Sequence, residues 1–209
     1  MIVAFDVEGV LVDGEFLPEA ARLVGKEKEV AEITRKGISG EVDWENGLAQ
    51  RIELIKGLPY DSCVSVADTL PLMKGAREAT ERLRQMDSIL VGVSGGFSIL
   101  ANRVKRELKL DHIFSNELVF HNDRLIGYGV LVNSNKTMIL DTALGDLLQR
   151  DKIVAVVDGA NDLDLFNIAD LRIAFNAQNV VKKRADVVIE EKDLARVVQV
   201  IESNAVLRT

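Results

Sequence analysis

The stretch "MIVAFDVEGVLVDGE" (1–15) runs apolar from Met1 to Phe5, stops at Asp6, and places Glu8 and Gly9 directly after. The stretch "KIVAVVDGAND" (152–162) repeats the pattern: an apolar run, then Asp158, Gly159 and, four residues after the first acid, Asp162. Two further runs, "SILVGVSG" (88–95) and "LRIAFN" (171–176), are also almost continuously apolar. Strands that alternate apolar and polar residues have one face in water; continuous runs such as these belong to strands covered on both faces, as in parallel sheets. Between the runs lie amphipathic segments. "GAREATERLRQM" (75–86) puts Ala76, Ala79, Leu83 and Met86 near one helical face, and 97–110 and 135–150 behave similarly. Alternation of such strands and helices predicts an α/β fold, a doubly wound parallel sheet with a Rossmann-like core.

Residues 15–70 depart from this rhythm. They contain no clear strand and read as three or four helices separated by Gly25, Gly37, Gly40, Gly57 and Pro59. Asp43-Trp44-Glu45 opens the third with an acidic first turn, which the helix dipole favours. The expected organisation is therefore a core built from 1–14 and 71–209, with 15–70 inserted as a helical-bundle cap over the carboxyl ends of the strands. A second irregularity, "ELVFHNDRLIGYGVL" (117–131), reads as a β-hairpin turning at Asn122-Asp123.

Composition narrows the partners. The 209 residues carry 26 basic and 33 acidic side chains, a net charge of −7, so a nucleic-acid phosphate backbone would be repelled. No apolar run approaches the roughly 20 residues of a membrane span, and the N-terminus lacks the basic start of a secretion signal. With Cys63 the single cysteine, no internal disulfide can form. Cys63 reads as a small core residue. These features lead us to expect a cytoplasmic protein with no nucleic-acid or membrane partner; they leave the oligomeric state open.

Ligands of open parallel sheets bind outside the carboxyl ends of the strands. Asp6, Ser94 and Asp158 stand at three such ends, each followed closely by glycine. Asp6 and Glu8, two apart in extended chain, point the same way and could hold a divalent cation or divide nucleophile and acid/base roles. Asp158 and Asp162 add two carboxylates suited to Mg²⁺. Ser94-Gly95-Gly96, read as a turn before a helix, offers a hydroxyl and backbone N–H groups to an anion. Lys136 could supply a cation for a phosphate. Taken singly, each has a plainer reading as a capping acid, a turn or a solvated charge.

In order and spacing, "DVEGV", "VSGGFS", Lys136 and "DGAND" resemble the four motifs of the haloacid dehalogenase-like hydrolases, and more narrowly the phosphoserine phosphatases. The resemblance extends over nearly the whole chain, through the helical insert to "ADVVIEEKDLARVVQVIE". It implies Asp6 as a nucleophile forming an aspartyl-phosphate and Glu8 as general acid/base. Mg²⁺ would be held by Asp6, the backbone carbonyl of Glu8, Asp158 and Asp162. The phosphoryl oxygens would be bound by Ser94, Gly95 and Lys136. It further implies contacts from Glu15, Trp44 and Arg51 to the amino-acid part of phosphoserine, with Glu15 on the ammonium and Arg51 on the carboxylate, and a substrate or phosphate contact from Asn161.

The first motif of phosphoserine phosphatases is usually Asp-x-Asp-x-Thr; here Glu8 replaces the second acid and Val10 the threonine. Val157 also stands where glycine is common. The expected activity is Mg²⁺-dependent hydrolysis of a small phosphorylated metabolite, phosphoserine foremost, as in serine biosynthesis. Transfer of the phosphoryl group to homoserine or another small alcohol, and an inactive ligand-binding member of the fold, stand as the alternatives.

Overall fold

The computed structural model describes residues 1–133 and 135–204. Its centre is a seven-stranded sheet: β1 (Ile2–Phe5), β2 (Ile89–Phe97), β3 (His112–His121), β4 (Arg124–Gly129), β5 (Ile153–Val157), β6 (Leu171–Phe175) and β7 (Val187–Ile189). Their spatial order is β4-β3-β2-β1-β5-β6-β7, with all neighbours parallel except the antiparallel pair β3–β4.

The chain moves outward from β1 through β2 to β3 and β4, then returns to lay β5 on the other side of β1. This reversal places a crevice at the carboxyl ends of β1 and β5, the position where doubly wound sheets take ligands. The register is in step there, with Phe5 opposite Val156 and the Asp6 N–H bonded to the Val156 carbonyl at 3.0 Å.

Both faces of the sheet are covered, as the continuous apolar runs predict. Val3, Phe5, Val154 and Val156 belong to one buried cluster, and Ile2, Ala4, Ala155 and Val157 to the other. Alternate residues of one strand thus serve opposite cores. The first core is closed by α5 (Ala76–Gln85), α6 (Ser98–Leu108) and α10 (Ala195–Ser203). The second is closed by α7 (Lys136–Leu144), a 3₁₀ helix (Ala160–Asn167) and α9 (Asn179–Lys182). Cys63 is fully buried, and burial pushes its thiol up to about 11, far from a reactive thiolate.

Between β1 and α5 run four helices: α1 (Phe16–Arg22), α2 (Glu27–Ser39), α3 (Trp44–Ile55) and α4 (Tyr60–Thr69). Asp43 caps α3, its carboxylate accepting from the Asn46 N–H at 2.9 Å. The chain segments leading into and out of this group lie side by side: Asp13 N–H donates to the Pro71 carbonyl and Met73 N–H to the Leu11 carbonyl, both at 2.9 Å. No helix of the described residues is long and apolar enough to cross a membrane.

Three local expectations are corrected. Ser94-Gly95-Gly96 is not a turn: β2 runs on to Phe97, with a shift of register against β3 between Val93 and Phe97. Gly37 does not end a helix but lies within α2. The predicted helix over 135–150 is two, α7 and α8 (Asp146–Arg150), because Gly145 adopts φ +40°, ψ −111°. Asp162 lies in the first turn of the 3₁₀ helix Ala160–Asn167. The hairpin turns at Asn122-Asp123, both with positive φ, as its sequence predicts.

Candidate active site

One cleft gathers nearly all the predicted residues. Its walls come from Asp6, Glu8, Ser94, Gly95, Gly96, Asp158 and Asn161 on the strand side, and from Glu15, Leu17, Ile38, Trp44, Leu48 and Arg51 on the helical side. Lys136 and Asp162 lie just beneath, 1 % and 0 % exposed, so the plainer reading of Lys136 as a solvated charge is wrong.

The floor is a knot of charges. The Lys136 Nζ donates to Asp6 Oδ1 at 2.5 Å and to the Val93 carbonyl at 2.8 Å, and contacts Asp162 Oδ1. Burial alone would discharge this ammonium, but Asp162 and Asp6 outweigh it and hold the lysine charged. Oxygens of Asp6, Asp158 and Asp162 lie within 4.8 Å of one another. Burial, with Asp6 alongside, pushes the Asp162 carboxyl up to about 7 and drives that of Asp158 well above its ordinary range.

An all-carboxylate set of this kind fits a hard divalent cation. The structure supports the fit directly: Asp162 Oδ2 is buried with no hydrogen-bond partner, an atom that a cation would satisfy. Gly9 keeps the space clear. Its φ is +84°, and a Cβ there would fall 2.2 Å from Asp158 Oδ2.

Glu8 sits above this floor. Its Oε2 accepts from the Phe16 N–H at 2.6 Å, so the carboxylate caps the first turn of α1. Burial raises its carboxyl to about 7, the largest opposing effect being that same N–H. Glu15, the residue before α1, is raised well above the ordinary range by burial and by Glu8, Asp158 and Asp6 nearby. The two acids therefore hold protons far more readily than free carboxyls do.

Arg51 completes the opposite wall. It is 2 % exposed, although it stands on a helix among charged residues. Nε donates to the Gly47 carbonyl at 3.1 Å and Nη1 to Thr34 Oγ1 at 3.2 Å, while the guanidinium carbon lies 4.4 Å from the centre of the Trp44 ring. Trp44 and Arg51 are seven apart on α3, two turns along one face, which is why they stack. The fork is fixed by these contacts, and Nη2 makes no hydrogen bond among the described residues. Asn161 donates from Nδ2 to Asp162 Oδ1 at 2.8 Å, and its Oδ1 is buried without a partner. Ser94 Oγ accepts from the Gly96 N–H at 3.0 Å, which leaves its own hydrogen for an acceptor in the cleft.

Sequence reasoning missed Asn116. It is fully buried, donates to the Gly95 carbonyl at 3.0 Å and accepts from Leu131 and Val132 N–H at 2.8 Å, tying the end of β2 to the loop beyond β4. It stands between Ser115 and Glu117 in a strand of mixed polar and apolar residues, which gave no signal to single it out. Leu17, Ile38 and Leu48 were also missed; apolar residues on helices look like core until the opposing wall is known.

Comparison with known proteins gives a consistent picture. A family profile described as haloacid dehalogenase-like hydrolase matches residues 1–170. The phosphoserine phosphatase of Methanocaldococcus jannaschii is 32% identical, over 96% of this chain and 97% of its own. That of Campylobacter jejuni subsp. doylei is 35% identical, over 96% and 99%. A substrate-bound phosphoserine phosphatase complex superposes with a TM-score of 0.90 at 32% identity, covering 95% of this chain and 96% of that one. A phospho-aspartyl intermediate analogue of phosphoserine phosphatase gives 0.89 at 32% identity, over 95% and 97%.

Proposed function

The chain belongs to the haloacid dehalogenase-like hydrolase family and is a phosphoric monoester hydrolase, and from that premise we propose that it hydrolyses phosphoserine through an aspartyl-phosphate on Asp6. The observation that carries the proposal is the pairing of Asp6 with the buried Lys136 on one side of the cleft and the stacked Arg51 with Glu15 on the other. One end offers a nucleophile among phosphate-binding groups. The other offers a carboxylate and a guanidinium, the complement of an amino acid's ammonium and carboxylate.

Asp6, Asp158 and Asp162, with the main-chain carbonyl of Glu8, would hold Mg²⁺. The cation would offset charge on the phosphoryl group, so that one anion can be attacked by another. The remaining work belongs to the chain. Lys136 holds Asp6 Oδ1, fixing the carboxylate for attack by its other oxygen. Ser94 Oγ–H, the Gly95 N–H and the Lys136 ammonium bind the equatorial oxygens, where charge gathers in the transition state. As the Asp6 oxygen bonds to phosphorus, the bond to the serine oxygen breaks and Glu8 gives that oxygen its proton. Glu8 then takes a proton from water, whose oxygen attacks phosphorus and frees Asp6. Asn161, which lines the cleft, would contact the phosphoryl group or the substrate.

On this reading residues 15–70 act as a cap on a core of 1–14 and 71–209. The cleft has about 20 Å³ accessible to the centre of a water molecule, space for one or two waters. Phosphoserine is far larger, and on this reading the helices part from the sheet edge to admit it.

The test is a phosphate-release screen of phosphoserine, phosphothreonine and small sugar phosphates, with and without Mg²⁺. Two charged contacts to the amino-acid part predict a preference for phosphoserine over sugar phosphates of about tenfold or more. Equal rates on both, or release unaffected by chelation, would overturn the substrate or the metal assignment respectively. Adding homoserine distinguishes hydrolysis from transfer, since only transfer yields phosphohomoserine.

A further inference from the structure

Neither Gly95 nor Gly96 has the positive φ that calls for glycine. Both are glycine for space, and the space serves two different side chains. A Cβ on Gly95 would fall 2.9 Å from Trp44 Nε1. A Cβ on Gly96 would fall 1.9 Å from Glu8 Oε1 and 3.1 Å from its carboxyl carbon, far inside any permitted contact. The carboxyl of Glu8 therefore occupies the volume that a side chain at 96 would need. Its second oxygen is held from the other side by the Phe16 N–H. That donor cannot retreat, because Phe16 is fully buried with its ring edge-on to Phe97 at 6.3 Å.

The geometry points to Gly96 as a positioning residue for Glu8: the missing Cβ makes a slot in which the longer carboxylate is gripped between β2 and the start of α1. An aspartate at 8, shorter by one carbon–carbon bond of about 1.5 Å, would stop short of the slot. The inference rests on Glu8 being the acid/base of the proposed reaction. It adds that the group's aim is set by a residue with no side chain.

A double-mutant cycle tests it, with Gly96→Ala, Glu8→Asp, the two together, and Glu8→Gln. Displacing a general acid/base forfeits about 10²-fold or more in turnover. In the wild-type background Gly96→Ala slows phosphoserine turnover by about 100-fold; in the Glu8→Asp background the same change alters it less than about threefold. The two chemical steps separate the role from plain damage. p-Nitrophenolate leaves without a proton, so Gly96→Ala still forms the aspartyl-phosphate from p-nitrophenyl phosphate but breaks it down slowly. The expected trace is a burst of about one equivalent of nitrophenol per protein, then slow turnover, whereas serine release from phosphoserine shows no burst.

Equal losses from Gly96→Ala in both backgrounds, or absence of the burst, would overturn the slot. Should Gly96→Ala fail to melt cooperatively while Glu8→Asp/Gly96→Ala melts like wild type, the clash with Glu8 is confirmed; failure of both to fold overturns it. Wild-type rates for Glu8→Gln would overturn the acid/base assignment itself. A slow Glu8→Gln beside a wild-type-like Gly96→Ala would remove only the slot.

Discussion

Lys136→Met keeps the length of a fully buried side chain and removes its charge. In the wild type one ammonium is shared between Asp6, at 2.5 Å, and Asp162, with a third bond to the Val93 carbonyl at 2.8 Å. The substitution leaves those two acids buried beside Asp158 with no cation in contact. Removing one partner of a buried ion pair destabilises by about 3–5 kcal/mol. For a chain of this size each kcal/mol lowers the melting temperature by about 2–4 °C, so a fall of about 6–20 °C is expected at pH 8 in a chelator. The sign of the pH dependence follows from Asp162. Burial and Asp6 push its carboxyl up to about 7 even while Lys136 pulls it down, so losing Lys136 pushes it higher still. A carboxyl raised on folding contributes stability that is present below its unfolded pKa and lost as pH rises through the folded value. The variant's deficit should therefore shrink between pH 8 and pH 5.5, as its acids take up protons instead of repelling one another. Thermal melts followed by circular dichroism at both pH values read this directly. A melting temperature within about 1 °C of wild type at pH 8, or a deficit as large at pH 5.5, would refute the reasoning.

Two other substitutions probe the opposite wall and the floor. Arg51→Ala should raise KM for phosphoserine about 10- to 100-fold, the worth of a hydrogen bond to a charged group, while sparing p-nitrophenyl phosphate; steady-state kinetics showing equal losses on both would count against a recognition role. Gly9→Ala combines a φ of +84° with a Cβ 2.2 Å from Asp158 Oδ2. It should destabilise by about 1–3 kcal/mol and weaken Mg²⁺ binding in calorimetric titration, and unchanged affinity would show that Asp158 is not a ligand.

The fold was legible where physics leaves little choice. Short continuous apolar runs rich in Val and Ile, ending in Asp6 and Asp158, read as strands covered on both faces, and the reversal of strand order then brings those two acids together. β7 escaped notice because three residues at a sheet edge, one of them the exposed Val188, carry no periodicity. The parallel half of β3 was hidden by the stronger hairpin signal that follows it. Ser94-Gly95-Gly96 was misread because glycine pairs usually mark turns, whereas these clear room for Trp44 and Glu8 in an extended strand. Burial of Lys136 and Arg51 could not be read locally. It depends on partners, Asp6 and Thr34, that lie 130 and 17 residues away.

The covalent step on Asp6 is tested most directly by acid-quenching the protein during turnover of ³²P-labelled phosphoserine and mapping the label. The account predicts protein-bound phosphate in a peptide containing Asp6, absent from a folded, inactive Asp6→Asn variant. Rapid turnover without bound label, or label on any other residue, would contradict it.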